Sequence, residues 1–344
     1  MKNLSFIYLI FWLVCGCFYS CSDETLSSDR TGETPVHIVY NDSVRTNQFV
    51  INIYSFLPDG FNRMGGNSMV ASATDEAVHA VPGSGAQNWG EGNWTATTLR
   101  DDNLSDFCTG IRRSFVFEEQ IYSHISILVM SEGGQKQLLA QVQFLRAYFN
   151  FELLKRYGGY PLVKRVYTMD EDLNFQRNTY DECVEYIVGL CDDAARELPV
   201  SYPDNQLGRA TKGAALALKA RVLLYAASPL FNDAAKPNND LEHGAYNPAK
   251  WENAAQAAAE VINLNRYSLY NSYANFFYTL SGNNEIIISK LQIANNTIEM
   301  QNGPSGYTGG QGGTCPTWEM ASVYEMIDVT PFDWNNPEHA ANPF

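Results

Sequence analysis

Five histidines stand at His37, His79, His124, His243 and His339. None lies at a ligand spacing from another and there is no HExxH pair, so a zinc hydrolase has no ligand set to start from. The chain also lacks the GxSxG turn that exposes a nucleophilic serine. The GxGxxG and GxxxxGK[ST] loops that cradle phosphate are missing too. Gly208 and Gly213 have the four-residue gap of the second loop, but Ala214 follows where lysine is needed. Asp170, Asp172 and Asn174 imitate the start of a calcium loop, yet Phe175 occupies the place that needs glycine, so the segment reads as a solvated acidic turn. Among 38 acidic residues no pair stands out as the acid and base of a glycosidase. No catalytic residue, metal site or cofactor is therefore assigned.

The remaining chemistry-bearing type is cysteine. Cys183 and Cys191 fall on one predicted helix, eight residues and about 12 Å apart along its axis, too far to bond while the helix stands. There is no CxxC, and Cys108, Cys183, Cys191 and Cys315 read as buried small side chains rather than a disulfide framework. Cys15, Cys17 and Cys21 follow an apolar run over residues 4–14 that begins after Lys2, the layout of a secretory signal. As a helix that run would reach about 16 Å, half of the hydrocarbon core, so it is too short to span a membrane. The cysteines resemble a bacterial lipobox. Cys21 is preferred as the acylated residue because Ser22, Asp23 and Glu24 follow it, with Cys17 as the alternative because Val14 and Gly16 precede it. Acyl chains would hold the domain on a membrane, and residues 25–35, rich in Ser, Thr, Asp and Gly, would serve as a tether.

Composition bounds the rest. The 344 residues are 45% hydrophobic and 18% charged, enough to bury a large core, and neither disordered nor coiled-coil in character. With 23 Lys and Arg against 38 Asp and Glu, the net charge of −15 disfavours nucleic acid and anionic lipid as partners.

The elements are clearest after residue 135. Leu138, Leu139, Val142, Leu145, Phe149 and Leu153 have the spacing of a half-buried helix over residues 135–157, stopped by Gly158, Gly159 and Pro161. Thr179 and Glu182 form a capping box for a helix reaching about Leu198. A third helix starts after Thr211 and breaks at Ser228 and Pro229. Asn247 and Pro248 open a fourth, alanine-rich helix to about Leu264, with Trp251 as a core anchor. Softer patterns predict helices over 44–57 and 111–130, an ordered loop over 71–106, strand pairing near 285–291 and a flexible glycine-rich loop over 302–313. The fold class expected is mainly α: irregular, tetratricopeptide-like helical hairpins with long loops and a few short strands.

Four blocks in order resemble the SusD/RagB family of outer-membrane lipoproteins. They are QVQFLRAYFNFELLKRYGGYPLV at 141–163, GRATKGAALALKARVLLYAASPLF at 208–231, WENAAQAAAEVI at 251–262 and TCPTWEMASVYEMID at 314–328. Arg146 and Arg221 in these blocks are read as packing and ion-pairing residues, and Gly158 and Gly159 as backbone freedom at a helix end. Family members usually continue well past residue 344, so the chain is expected to be C-terminally incomplete. The expected layout is a signal peptide at 1–20, a lipidated tether at 21–40, a helical domain at 41–280 and the start of a C-terminal region at 281–344.

The resemblance implies a non-enzymatic surface protein that captures glycans or oligosaccharides for a SusC-like TonB-dependent transporter. A peptide ligand, or a scaffold role without a nutrient, are the alternatives. Such a site needs aromatic faces for sugar rings and amides or carboxylates for hydroxyls. Residues 89–94, WGEGNW, supply both through Trp89, Asn93 and Trp94, unless the two indoles instead plug the end of the solenoid. Tyr307 and Trp318 form a second candidate group.

Overall fold

The computed structural model describes residues 36–60, 69–95, 97–99, 101–124, 129–236, 239–304, 306 and 309–341. Cys17, Cys21 and Tyr307 lie outside them. Among the described residues no helix is long and apolar enough to cross a membrane.

Helices dominate, several of them started by a side chain that satisfies free backbone donors. A short α1 (Val36–Tyr40) leads into α2 (Ser43–Tyr54), where the Asp42 carboxylate accepts from the Val44 and Arg45 N–H groups. The long helices follow: α4 (Leu104–His124), α5 (Glu132–Tyr157), α6 (Tyr180–Glu197), α7 (Lys212–Ala227) and α8 (Ala249–Asn263). Between α2 and α4 lie β1 (Ala77–His79) and α3 (Gly85–Gly90). After α8 come α9 (Tyr273–Phe276), α10 (Thr297–Asn302), β2 (Thr314–Pro316), α11 (Trp318–Ser322) and α12 (Pro337–Ala341).

The five long helices pack in chain order, α4 on α5, α5 on α6, α6 on α7 and α7 on α8, the expected stacked hairpins. The capping box of α6 is present, with Thr179 Oγ1 accepting from Glu182 N–H at 3.2 Å and Glu182 Oε2 from Thr179 N–H at 2.8 Å. At the other end of α5, Gly158 turns at φ +68 and a Cβ on Gly159 would lie 2.2 Å from the Asn178 carbonyl, so the pair serves close approach as well as turning. Thr211 caps α7 through Ala214 N–H at 3.2 Å. On α7 a Cβ on Gly213 would lie 2.0 Å from the Tyr267 hydroxyl, so that ring sits directly on the helix.

The α5 helix differs from its reading as half-buried. Fourteen of its residues are buried, because α2, α4, α6 and α7 all touch it. Its polar residues survive burial by being paired. Arg146, 3% exposed, donates from Nε to Ser114 Oγ at 2.8 Å and reaches Glu118 at 2.5 Å, with its guanidinium 3.5 Å from the Phe115 ring centroid. Tyr160 Oη donates to Asn150 Oδ1 at 2.6 Å. Glu152, 2% exposed, is held by Lys155 at 2.6 Å and Arg156 at 2.6 Å. Arg221, by contrast, is an exposed residue lying 6.0 Å from the Tyr225 ring.

Other expectations are corrected. The α4 helix begins at Leu104 rather than residue 111, because Asp102 Oδ1 accepts from Leu104 N–H. Trp251 is 48% exposed, not a core anchor: α8 packs on α7, and its buried positions are the small residues Ala254 and Ala257 rather than the indole. Cys183 and Cys191 are buried, but Cys108 is exposed and Cys315 half-buried. Burial pushes the Cys183 thiol up to about 11 and raises Cys191 further, which makes both unreactive. Residues 285–291 form no described ladder. Ile287 and Ile288 instead pack on the helical core, and Lys290 Nζ donates to the Leu57 carbonyl at 2.6 Å and to Asp59 at 2.8 Å.

The described sheet is a two-stranded antiparallel ladder of β1 and β2, with Ala77 opposite Pro316, Val78 opposite Cys315 and His79 opposite Thr314. It lies outside the helical stack and joins residues far apart in sequence. Ser72 Oγ donates to Thr314 Oγ1 at 3.1 Å beside it.

Candidate functional site

The ladder positions both aromatic groups. From β1 the chain turns at Gly83 into α3, capped by Ser84 Oγ accepting from Gln87 N–H at 3.2 Å, while Gln87 Oε1 accepts from Gly83 N–H at 2.6 Å. The helix ends as Gly92 adopts φ +72 and Asn93 N–H donates to the Asn88 carbonyl at 2.8 Å. A Cβ on Gly92 would meet nothing within 4 Å, so the backbone angle and not crowding calls for glycine. This reversal folds Trp94 back on Trp89: the indoles stack with centroids 5.3 Å apart and planes at 13°. They are 36% and 49% exposed, so neither plugs a core. Asn93 Nδ2 donates to Glu91 Oε2 at 2.9 Å, placing an amide and a carboxylate on the same turn.

From β2 the chain enters α11, where Thr317 Oγ1 accepts from Met320 N–H at 3.2 Å and its own N–H donates to the Glu76 carbonyl at 2.9 Å. Trp318, the first residue of that helix, stacks on Trp334 with centroids 5.0 Å apart and planes at 28°, and the edge of Phe332 meets Trp334 at 4.6 Å. These rings wall an open cavity of about 640 Å³ whose floor is the ladder itself, through Ala77, Thr314 and Pro316. Of the predicted site residues, Trp89, Asn93 and Trp94 come together, Trp318 belongs to this second group, and Tyr307 lies outside the described residues.

Trp334, Phe332 and Tyr324 were not anticipated. A signal was present: Trp334 sits among Pro331, Asp333, Asn335, Asn336 and Pro337, the same punctuation of turn formers around an indole as at 89–94. The glycine-rich loop beside them is tied at its base, with Gly313 N–H donating to the Gln301 carbonyl and Gly312 N–H to that of Gly303, each at 2.8 Å.

Among the described residues no group of three His, Cys, Asp or Glu could hold a metal. The acidic turn at 170–174 closes on itself. The Arg165 guanidinium and the Thr168 N–H hold the Glu171 carboxyl down at about 2, and Asp172 accepts from Asn174 N–H. What the two indole pairs supply is apolar ring surface next to polar side chains, which suits ligands with both kinds of face.

Residues 60–224 match a family model described as SusD-like, starch-binding and associating with the outer membrane. SusD-like protein P25 of Formosa agariphila is 21% identical over 304 residues, 86% of this chain and 52% of that protein. The crystal structure of a SusD-like protein from Bacteroides fragilis is similar with TM-score 0.68 and 26% identity, over 88% of this chain and 57% of its own. A second from the same organism, described as a SusD-like carbohydrate-binding protein, has TM-score 0.69 and 20% identity, over 88% of this chain and 56% of its own. The chain spans about half the length of the curated relative it matches and under three fifths of the two solved ones.

Proposed function

The chain belongs to the SusD/RagB family, and on that premise we propose that it is a surface lipoprotein that captures glycans or oligosaccharides without cleaving them and delivers them to a SusC-like TonB-dependent outer-membrane transporter. Cys21, or Cys17, carries the lipid. The ligand rests on Trp89 and Trp94, with Asn93 bonding to its hydroxyls, and on Trp318; Tyr307 is a further candidate contact. One observation carries the reading. Large indoles that a folding chain gains about 2 kcal/mol or more by burying stay half-exposed in stacked pairs, on turns built to hold them. Sugars present apolar ring faces that such indoles complement and hydroxyls that amides and carboxylates take up. The carbohydrate-binding description of the B. fragilis relative agrees with this choice of ligand.

Calorimetric titration with oligosaccharides of several linkages, starch-derived ones included, tests it. A glycan that binds the parent chain is expected to bind Trp94→Ala at least about tenfold more weakly, a loss of about 1.4 kcal/mol. Unchanged affinity in both Trp89→Ala and Trp94→Ala would remove that turn from the site. Binding of peptides but of no glycan would transfer the proposal to a peptide ligand.

A further inference from the structure

The cavity beside the ladder has a charge pattern that narrows its ligand. Four aromatic side chains, Trp318, Tyr324, Phe332 and Trp334, stand around it, and its charged lining residues are Glu76 and Glu325, with no lysine or arginine among the lining. Among the described residues neither glutamate takes part in an ion pair. Aromatic faces carry negative potential and attract cations. Two carboxylates in the same lining add to it, inside a molecule of net charge −15. An anionic group entering here would meet repulsion from both carboxylates and from the rings.

We infer that this cavity takes an organic cation, and that on a captured glycan the cation is the protonated amine of an unacetylated amino sugar. The ammonium seats between the carboxylates and the aromatic wall, while the sugar ring stacks on an indole. The second half of this inference rests on the glycan-binding reading above; the first does not. Uronic-acid and sulfated glycans, which carry the opposite charge, are excluded from the cavity.

Two probes keep the readings apart. Tetramethylammonium chloride, titrated against the full chain by NMR with sodium chloride as control, is expected to shift the Trp318 and Trp334 indole N–H signals, and to stop doing so in the Glu76→Gln, Glu325→Gln double variant. Glucosamine tetramer is expected to bind about tenfold more tightly than N-acetylglucosamine tetramer at a pH where the amine is protonated. That preference should vanish in the double variant and shrink at 1 M salt, where exposed charges are screened. Equal binding of the two tetramers, or a preference unaltered by the double variant, overturns the amino-sugar assignment and leaves glycan capture standing. Tetramethylammonium that leaves both indoles unmoved overturns the cation site. Failure of every glycan together with indole shifts by tetramethylammonium would refute glycan capture and retain the cation site.

Discussion

The helical stack of residues 104–263 and the segment 264–341 that follows it use aromatic residues in opposite ways. In the stack, Phe107, Phe117, Phe144, Phe149 and Phe151 are each at most 1% exposed, and every long helix has a neighbour to cover its apolar face. In the following segment Trp318 and Trp334 are 52% and 45% exposed, and the elements are short turns joined by hydrogen bonds. Among the described residues the buried core cluster draws on residues 40–231 and takes only Leu264, Ile287 and Ile288 from beyond α8, as partly buried neighbours. The core that carries stability and the turns that the proposed function assigns to the ligand are thus separate parts of the fold, so on that proposal the indole turns can vary without disturbing the core.

The sharpest test of that separation sets one ring from each region side by side. Phe149→Ala is expected to cost about 3 to 5 kcal/mol in denaturant unfolding, since its ring fills the space where a Cβ on Gly110 would come within 2.5 Å. Trp334→Ala is expected to cost under about 1 kcal/mol, in the range of surface substitutions. Equal costs would break the comparison.

A smaller effect concerns buried charge. Burial alone would raise the Glu152 carboxyl, but the charges and hydrogen bonds of Lys155 and Arg156 outweigh it and hold the group below its ordinary value. A depressed carboxyl contributes stability that is complete above its unfolded value and is lost as pH falls through its folded value. Glu152→Gln should therefore cost about 3 kcal/mol at neutral pH, by leaving the partly buried Lys155 and Arg156 short of a partner. It should also flatten the acid limb of a stability-against-pH curve. A limb as steep as the parent's would assign acid sensitivity to other groups. Smallest of the three, Thr179→Ala should cost about 1 kcal/mol in unfolding through loss of the capping box, with no change in ligand affinity.

Local chemistry made the helices legible in advance. The Thr179 box, the Thr211 cap and the stop at Ser228 and Pro229 lie where the residue types put them, because a cap is a contact between residues two or three apart. The ladder was not legible: three-residue strands have too little alternation to read, and their pairing spans more than two hundred residues. For the same reason Ile286, Ile287 and Ile288 suggested strand pairing from β-branching alone. The helices offered Ile287 and Ile288 a closer surface. Trp89 and Trp94 were identifiable by composition, but their stacking depends on a single reversal at Gly92.

Residue types and short spacings by themselves determined the helical hairpins, their caps and breaks, and the presence of indole-bearing turns, because those features depend on interactions within one or two helical turns. Only the tertiary structure decided that α5 is enclosed on most sides, that Trp251 stays outside the core, and that Trp318 meets Trp334 over a cavity lined by Glu76 and Glu325. Each of those outcomes depends on which distant segment arrives as neighbour, and a chain's local preferences carry no record of that.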